Sequence, residues 1–307
     1  MIIDIECDIP TREVYEADIR SYDRMEDHGL GNYINIFGPK WASDVGMSPD
    51  EFEEMKGKLG PAKLRKMIEE SAMKDALTEE EFIHMLDDAG ITHACIGTGR
   101  AASMEHTARL AEKYKQKLIP WCRIDPRKGM AGVKELGIRG LEVSTFRDLL
   151  YANDKQYFPL YAKCVELNIP TRIYTTMNYA SDRSMDLGRP IFLDEVARNF
   201  PELTIIAGLG GWPWVPELVG LARRHPNVYI DFAAHRPKYL AKPGSGFEML
   251  LQFGNTLLQD RILFASSWMT LGLPLKQIIQ EVMDLPLKEE VKKKWMYKNA
   301  ARILKID

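Results

Sequence analysis

The chain has 307 residues, 45% of them hydrophobic, enough for one large buried core and too many for a disordered chain. Its formal net charge is −3, from 41 Lys plus Arg against 44 Asp plus Glu, so no basic excess points to nucleic acid or an anionic membrane. No stretch reaches the roughly 18 apolar residues of a membrane span, and no basic region followed by an apolar run marks a secretion signal.

In chain order, residues 2–6 read as a short buried strand whose pleat puts Asp4, Glu6 and Asp8 on one face. Residues 9–77 are too long for a strand-to-helix connection and form an expected insertion with a helix over 61–76. Tyr33, Ile34, Ile36, Phe37 and Trp41 give that insertion something to bury, which favours a lid or a partner interface over a solvated excursion. Thr78-Glu-Glu-Glu is a capping box ahead of the apolar face Phe82, Met85 and Leu86. Further strands are expected at 92–97, 118–124, 140–143, 171–175, 204–207, 228–231 and 262–265. Helical spacing lies over 157–167, 192–200, 274–285 and 288–304. Eight strands alternating with helices predict an α/β fold, a TIM-like (β/α)8 barrel with a long insertion after strand 1, in a single domain over 1–307. Cys7, Cys95, Cys122 and Cys164 lack paired spacing and read as buried thiols in a reducing compartment, so the expected location is cytoplasmic.

The opening Asp4-Ile-Glu-Cys-Asp resembles the first-strand motif Asp-x-His/Glu-x-His of the amidohydrolase superfamily. The similarity is to its amidohydrolase-2 group, which includes the aminocarboxymuconate-semialdehyde and γ-resorcylate decarboxylases. Residues 168–175, 200–211, 225–231, 261–268 and 299–304 resemble that group's fifth to eighth strands and closing helix. The resemblance implies a metal at the C-terminal mouth of the barrel, but its ligand positions are largely replaced. Glu6 is a permitted ligand; Asp8, Tyr174, Gly208 and Ser267 stand where the family places a histidine, two further histidines and an aspartate. Zinc wants three or four N, S or carboxylate donors at roughly 2 Å, and Tyr, Gly and Ser do not supply them. No metal and no cofactor are therefore expected, although Glu6 and Asp8 with Asp125, Glu142 or Asp231 leave a hard-cation alternative.

In such barrels the chemistry sits at strand C-termini and the loops after them. The expected catalytic residues are Glu6 and Asp8, a carboxylate pair suited to acid/base work, with Tyr174, Asp231 and His235. The expected substrate-binding residues are Arg100, Arg123, Arg172, Ser266, Ser267 and Trp268. Arg172 is either a fork for a substrate carboxylate or an internal partner of Glu6 or Asp8 in the space of a cation. Arg123 is expected to pair with Asp125 or Glu142. A barrel tyrosine usually packs and satisfies its hydroxyl, and a lone loop histidine is a weak signal. Three functions follow: a metal-independent hydrolase or decarboxylase/lyase acting on a small carboxylate, an inert subunit beside an active paralogue, or an enzyme with a carboxylate-bound metal. The partners expected are that substrate and a second subunit, in a homodimer or a hetero-oligomer with the paralogue; nucleic acid and membrane are not expected.

Overall fold

The computed structural model describes residues 1–22, 27–98 and 103–306. Eight parallel strands run in the order β1-β2-β3-β4-β5-β6-β7-β8. They are β1 (Ile3–Asp4), β2 (His93–Ile96), β3 (Leu118–Arg123), β4 (Gly140–Val143), β5 (Thr171–Tyr174), β6 (Ile205–Gly208), β7 (Val228–Asp231) and β8 (Ile262–Leu263). The seam between the last strand and the first is bridged by backbone bonds: Ile5 N–H donates to Phe264 C=O and Ser267 N–H to Glu6 C=O, both at 3.1 Å. The sequence reading of the strands thus stands, with ends that move by no more than two residues.

The period of two decides what each strand presents. Ile173, Ile205, Ala207, Val228 and Ile230 face outward and pack on Leu193, Val196, Leu218 and Val219 of the covering helices. The alternate positions Glu142, Arg172 and Asp231 are buried with Glu6, so charged groups collect on the inward face. Register places Glu142 beside Arg172 and Tyr174 beside Gly208.

Between β1 and the helix Glu79–Asp88 the described residues form four α-helices, α1 (Arg12–Tyr22), α2 (Asp27–Asp44), α3 (Pro49–Leu59) and α4 (Pro61–Ala72). Leu77 N–H donates to Pro10 C=O at 2.9 Å, so the two ends of this segment meet. It carries a small core of its own, Ile34, Ala42, Phe52, Leu64 and Ile68. The expected helix over 61–76 ends earlier, passing into a 3-10 turn at Met73–Asp75. Towards the barrel, Asn32 Nδ2 donates to Tyr179 C=O at 2.9 Å, and the Phe37 and Tyr33 rings meet the Tyr179 ring edge-on.

The expected helix over 288–304 is broken by a π turn, Lys294–Lys298, between Glu289–Lys293 and Asn299–Leu304. The Trp295 carbonyl accepts the Phe264 N–H at 3.0 Å, drawing that carbonyl towards the end of β8. All four cysteines are buried free thiols. Among the described residues no helix is long and apolar enough to cross a membrane.

Candidate functional site

The inward face of β5 sets the centre of the mouth. Arg172 is 1% exposed, and a buried guanidinium requires anionic partners. It has two. Its Nε donates to Asp231 Oδ2 at 2.7 Å, while its Nη2 donates to Glu6 Oε2 at 2.8 Å and to Asp231 Oδ1 at 3.3 Å. Glu6 is therefore one partner, as expected; the second comes from β7, two strands along the same wall, where Asp8 was the expected alternative. Burial works against the Arg172 charge, but the Asp231 and Glu6 carboxylates outweigh it and raise its pKa above the ordinary guanidinium value. Burial also pushes the Glu6 carboxyl well up, against the pull of Arg172 and with help from Asp231, Glu142 and Asp8. Two carboxylates sharing one cation leave the cluster room for a proton.

Gly208, the last residue of β6, is part of the same arrangement. A Cβ there would lie 3.0 Å from both Cζ and Nη2 of Arg172 and 3.1 Å from Nε. A side chain at 208 and the guanidinium of 172 contest one space. The group implied by the sequence resemblance, a divalent ion between β1, β5, β6 and β8, does not fit these residues. Glu6 Oε2 and both Asp231 oxygens are bonded to Arg172, and a side chain at 208 would meet the same guanidinium. Among the described residues, no group of three or more His, Cys, Asp or Glu is placed to hold a metal ion.

The β8 end closes over β1. Asp4 Oδ1 accepts the Ser266 N–H at 2.9 Å and the Glu6 N–H at 3.2 Å. Asp4 is fully buried, and burial pushes its carboxyl up to about 7. Sequence reasoning put Asp4 on the right face but passed over it as a site residue, because isolation from solvent is not visible in composition. Ser266 Oγ donates to Glu6 C=O at 3.4 Å, Ser267 has a left-handed backbone (φ 45°), and Trp268 Nε1 donates to Asp8 C=O at 3.3 Å.

The remaining expected residues are dispersed or engaged. Tyr174 Oη donates to Met177 C=O at 2.9 Å, and its ring packs 4.5 Å from that of Phe146. Arg123 pairs with Asp148 rather than with Asp125 or Glu142 as expected; Asp148 also accepts Tyr157 Oη at 2.8 Å. The helix that follows β4 delivers Asp148 there, a proximity that strand spacing does not encode. Arg100 lies outside the described residues.

Asp231 is also the anchor of two loops. Its Oδ1 accepts the N–H of Leu209, after β6, at 2.9 Å and that of Ala233 at 3.0 Å. The Leu209 carbonyl in turn accepts Nε2–H of His235 at 2.9 Å. Burial lowers the His235 pKa to about 4, so the ring is neutral at physiological pH. His235 borders a cavity of about 350 Å³ at the ends of β5 to β8, with Tyr179, Trp212, Ala234, Arg236, Tyr239, Leu240, Ser245, Phe247 and Leu271. Most of these went unnoticed in the sequence. The aromatic cluster after β6, Trp212-Pro-Trp, and the Ala-Ala-His-Arg run after β7 were the available signals.

A curled set of eight parallel strands with charged groups at their C-terminal ends is the architecture of a (β/α)8 barrel. The family model described as Amidohydrolase (Amidohydro_2) matches residues 62–306. This chain belongs to that amidohydrolase family. No curated protein matches. Among solved structures, an uncharacterized TIM-barrel protein from Bordetella bronchiseptica is 25% identical, with a TM-score of 0.71 over 99% of this chain and 98% of that one. A 5-carboxyvanillate decarboxylase from Novosphingobium aromaticivorans, complexed with manganese and a nitrobenzoic acid, is 15% identical (TM-score 0.63, 100% and 96% covered). A 4-oxalomesaconate hydratase from Rhodopseudomonas palustris is 18% identical (TM-score 0.59, 99% and 96% covered).

Proposed function

We propose that this chain is a metal-independent hydrolase or carbon–carbon lyase that acts on a small carboxylate at the mouth of its barrel. One observation carries the reading: the Arg172 guanidinium is bonded to both Glu6 and Asp231 and contests the space of any side chain at 208. It supplies a fixed positive charge among the carboxylates, a task that a divalent ion performs elsewhere by neutralising the same oxygens. The decarboxylase and the hydratase of like fold act, by their names, on carboxylated compounds, which supports the substrate class. In this reading Glu6, with its raised pKa, and Asp8 exchange protons with the substrate, and His235 accepts a hydrogen bond. Arg100 and Arg123 meet the substrate carboxylate, while Ser266, Ser267 and Trp268 shape the β8 side. Tyr174 serves by packing.

The test is elemental analysis with turnover. Purified protein is assayed on a panel of aromatic and unsaturated carboxylates before and after chelation. Sub-stoichiometric metal with turnover that survives chelation is expected; stoichiometric zinc or manganese released together with activity overturns the reading.

A second reading is an inert subunit that partners an active paralogue, and the depth of the centre favours it: Arg172 is 1% and Glu6 5% exposed. Helices α1 to α4 then form the interface, where the enzyme reading makes them a lid over the mouth. Absence of turnover alone, with turnover on adding the paralogous chain, selects this reading. A homodimer is expected in the first case and a hetero-oligomer in the second.

A further inference from the structure

A second cavity, of about 370 Å³, opens between the inserted helices and the turn after β8, and none of its lining residues borders the cavity beside His235. The short helical turn Trp268–Leu271 forms one wall, with Trp268 and Met269 lining the second cavity. Leu271 of the same turn borders the cavity beside His235, so the turn is a partition between the two. Trp268 also reaches the barrel mouth, where its Nε1 donates to Asp8 C=O at 3.3 Å. Left-handed backbone bounds the turn at both ends, at Ser267 (φ 45°) and Gly272 (φ 60°). At Gly272 a Cβ would lie 2.6 Å from Asp44 Oδ2 and 2.8 Å from Lys40 Nζ, so glycine there lets the end of α2 approach the turn.

The walls describe a ligand. Tyr15 of α1, Trp41 of α2 and Trp268 bring aromatic surface from three separate elements. The chain itself shows what such a wall takes. The Arg65 guanidinium lies 3.6 Å from the centroid of the Trp41 ring and is bonded to Glu69, a carboxylate only 2% exposed. An aromatic face and a buried acid thus already hold one planar cation in the lining. Two further carboxylates, Asp44 and Asp75, line the same cavity. Asp44 is paired with Lys40, whereas the exposed Asp75 carboxylate has no hydrogen bond or ion pair among the described residues. Three acids against Arg65 and Lys40 leave a net negative charge. The rest of the wall is largely apolar, from Val45, Ile68, Leu273 and Pro274. The volume is that of a small-molecule site, roughly 300–1,000 Å³.

We propose that this cavity is a second ligand site, that it takes a small organic cation with a flat apolar body, of the amidinium, guanidinium or arylalkylammonium class, and that its occupant stiffens the turn Trp268–Leu271. The Trp41 and Trp268 faces hold the flat body, and Asp75 draws the charge. Through the shared turn the occupant bears on the mouth. The site is independent of which reaction, if any, the mouth performs.

The probes are benzamidine and benzamide, which match in size and shape but differ in charge. Calorimetry reads affinity, and hydrogen exchange followed by mass spectrometry reads position. Wild-type protein is expected to bind benzamidine about tenfold more tightly than benzamide, with a preference that shrinks as salt is raised. Benzamidine should slow exchange of the Leu271 and Leu273 amides, which are bonded to the Ser267 and Trp268 carbonyls. Asp75→Asn alters an exposed side chain that pairs with nothing and should cut the preference about threefold. Trp41→Leu should remove most of it. If Trp41→Leu does not fold, the double variant Asp44→Asn/Asp75→Asn, confined to exposed side chains, takes its place and should bring the two probes to near parity. Equal binding of the probes by the wild type, no binding at millimolar concentration, or a preference unmoved by Asp75→Asn overturns the site. Benzamidine binding that slows exchange elsewhere but not over 267–274 overturns it as well, because the cation then sits on another surface.

Discussion

Replacing Arg172 with methionine is the most direct perturbation of the centre. Methionine fills much of the same volume but donates no hydrogen bond. Three bonds of 2.7 to 3.3 Å are lost at once. Glu6 and Asp231, 5% and 0% exposed, are left without their cation in a site that water scarcely reaches. Breaking a buried pair by removing one partner costs about 3–5 kcal/mol, a large share of the roughly 5–15 kcal/mol that holds a domain folded. With a urea m-value near 3 kcal/mol/M, the unfolding midpoint should fall by about 1–2 M. The loss should be smaller at pH 5 than at pH 8, because an uncompensated carboxylate escapes its penalty by taking a proton, and Glu6 already has a raised pKa. Adding Glu6→Gln should recover at least half of the loss at pH 8. Urea titrations of the three proteins at both pH values provide the assay. A cost below about 1 kcal/mol, or one that is independent of pH, would refute the claim that the guanidinium neutralises this centre.

Gly208→Ala should destabilise by about 1–2 kcal/mol, since its Cβ meets a tethered guanidinium at 3.0 Å while the extended backbone (φ −77°) gains from losing glycine; in an Arg172→Met background the same change should stabilise, and additive effects in a double-mutant cycle would contradict the shared-space argument. Asp4 has a folded pKa of about 7, above its ordinary 3.8, so its contribution is present below about pH 4 and is lost as pH rises through 7. Asp4→Asn should therefore gain stability relative to the parent between pH 5 and 8, and a constant difference across that range counts against a buried, isolated carboxyl. His235 is shifted the other way, from 6.5 to about 4, so the folded protein loses stability as pH falls through that window, by up to about 3 kcal/mol. His235→Phe should flatten that slope, and chemical denaturation at pH 4.5 and 7 decides it.

Much of the scaffold was readable before any coordinates. Parallel strands covered on both faces are written as short apolar runs, and the presence of Tyr at 174 and Gly at 208 is a matter of residue identity. The period of two put Asp4, Glu6 and Asp8 on one face of the first strand. Strand spacing cannot say which charges meet. Arg172 reaches Asp231 because β5 and β7 lie two strands apart on one curved wall, and it reaches Glu6 because the sheet returns to β1. Arg123 finds Asp148 in the same way, through a helix that bends back over β4. The neutral imidazole of His235 and the raised carboxyl of Asp4 depend on desolvation and on backbone groups from other loops. Chain order thus determined the fold and which residue types stand at the strand ends. Only tertiary structure decided that a guanidinium sits among the carboxylates, because burial and charge pairing are properties of positions in space.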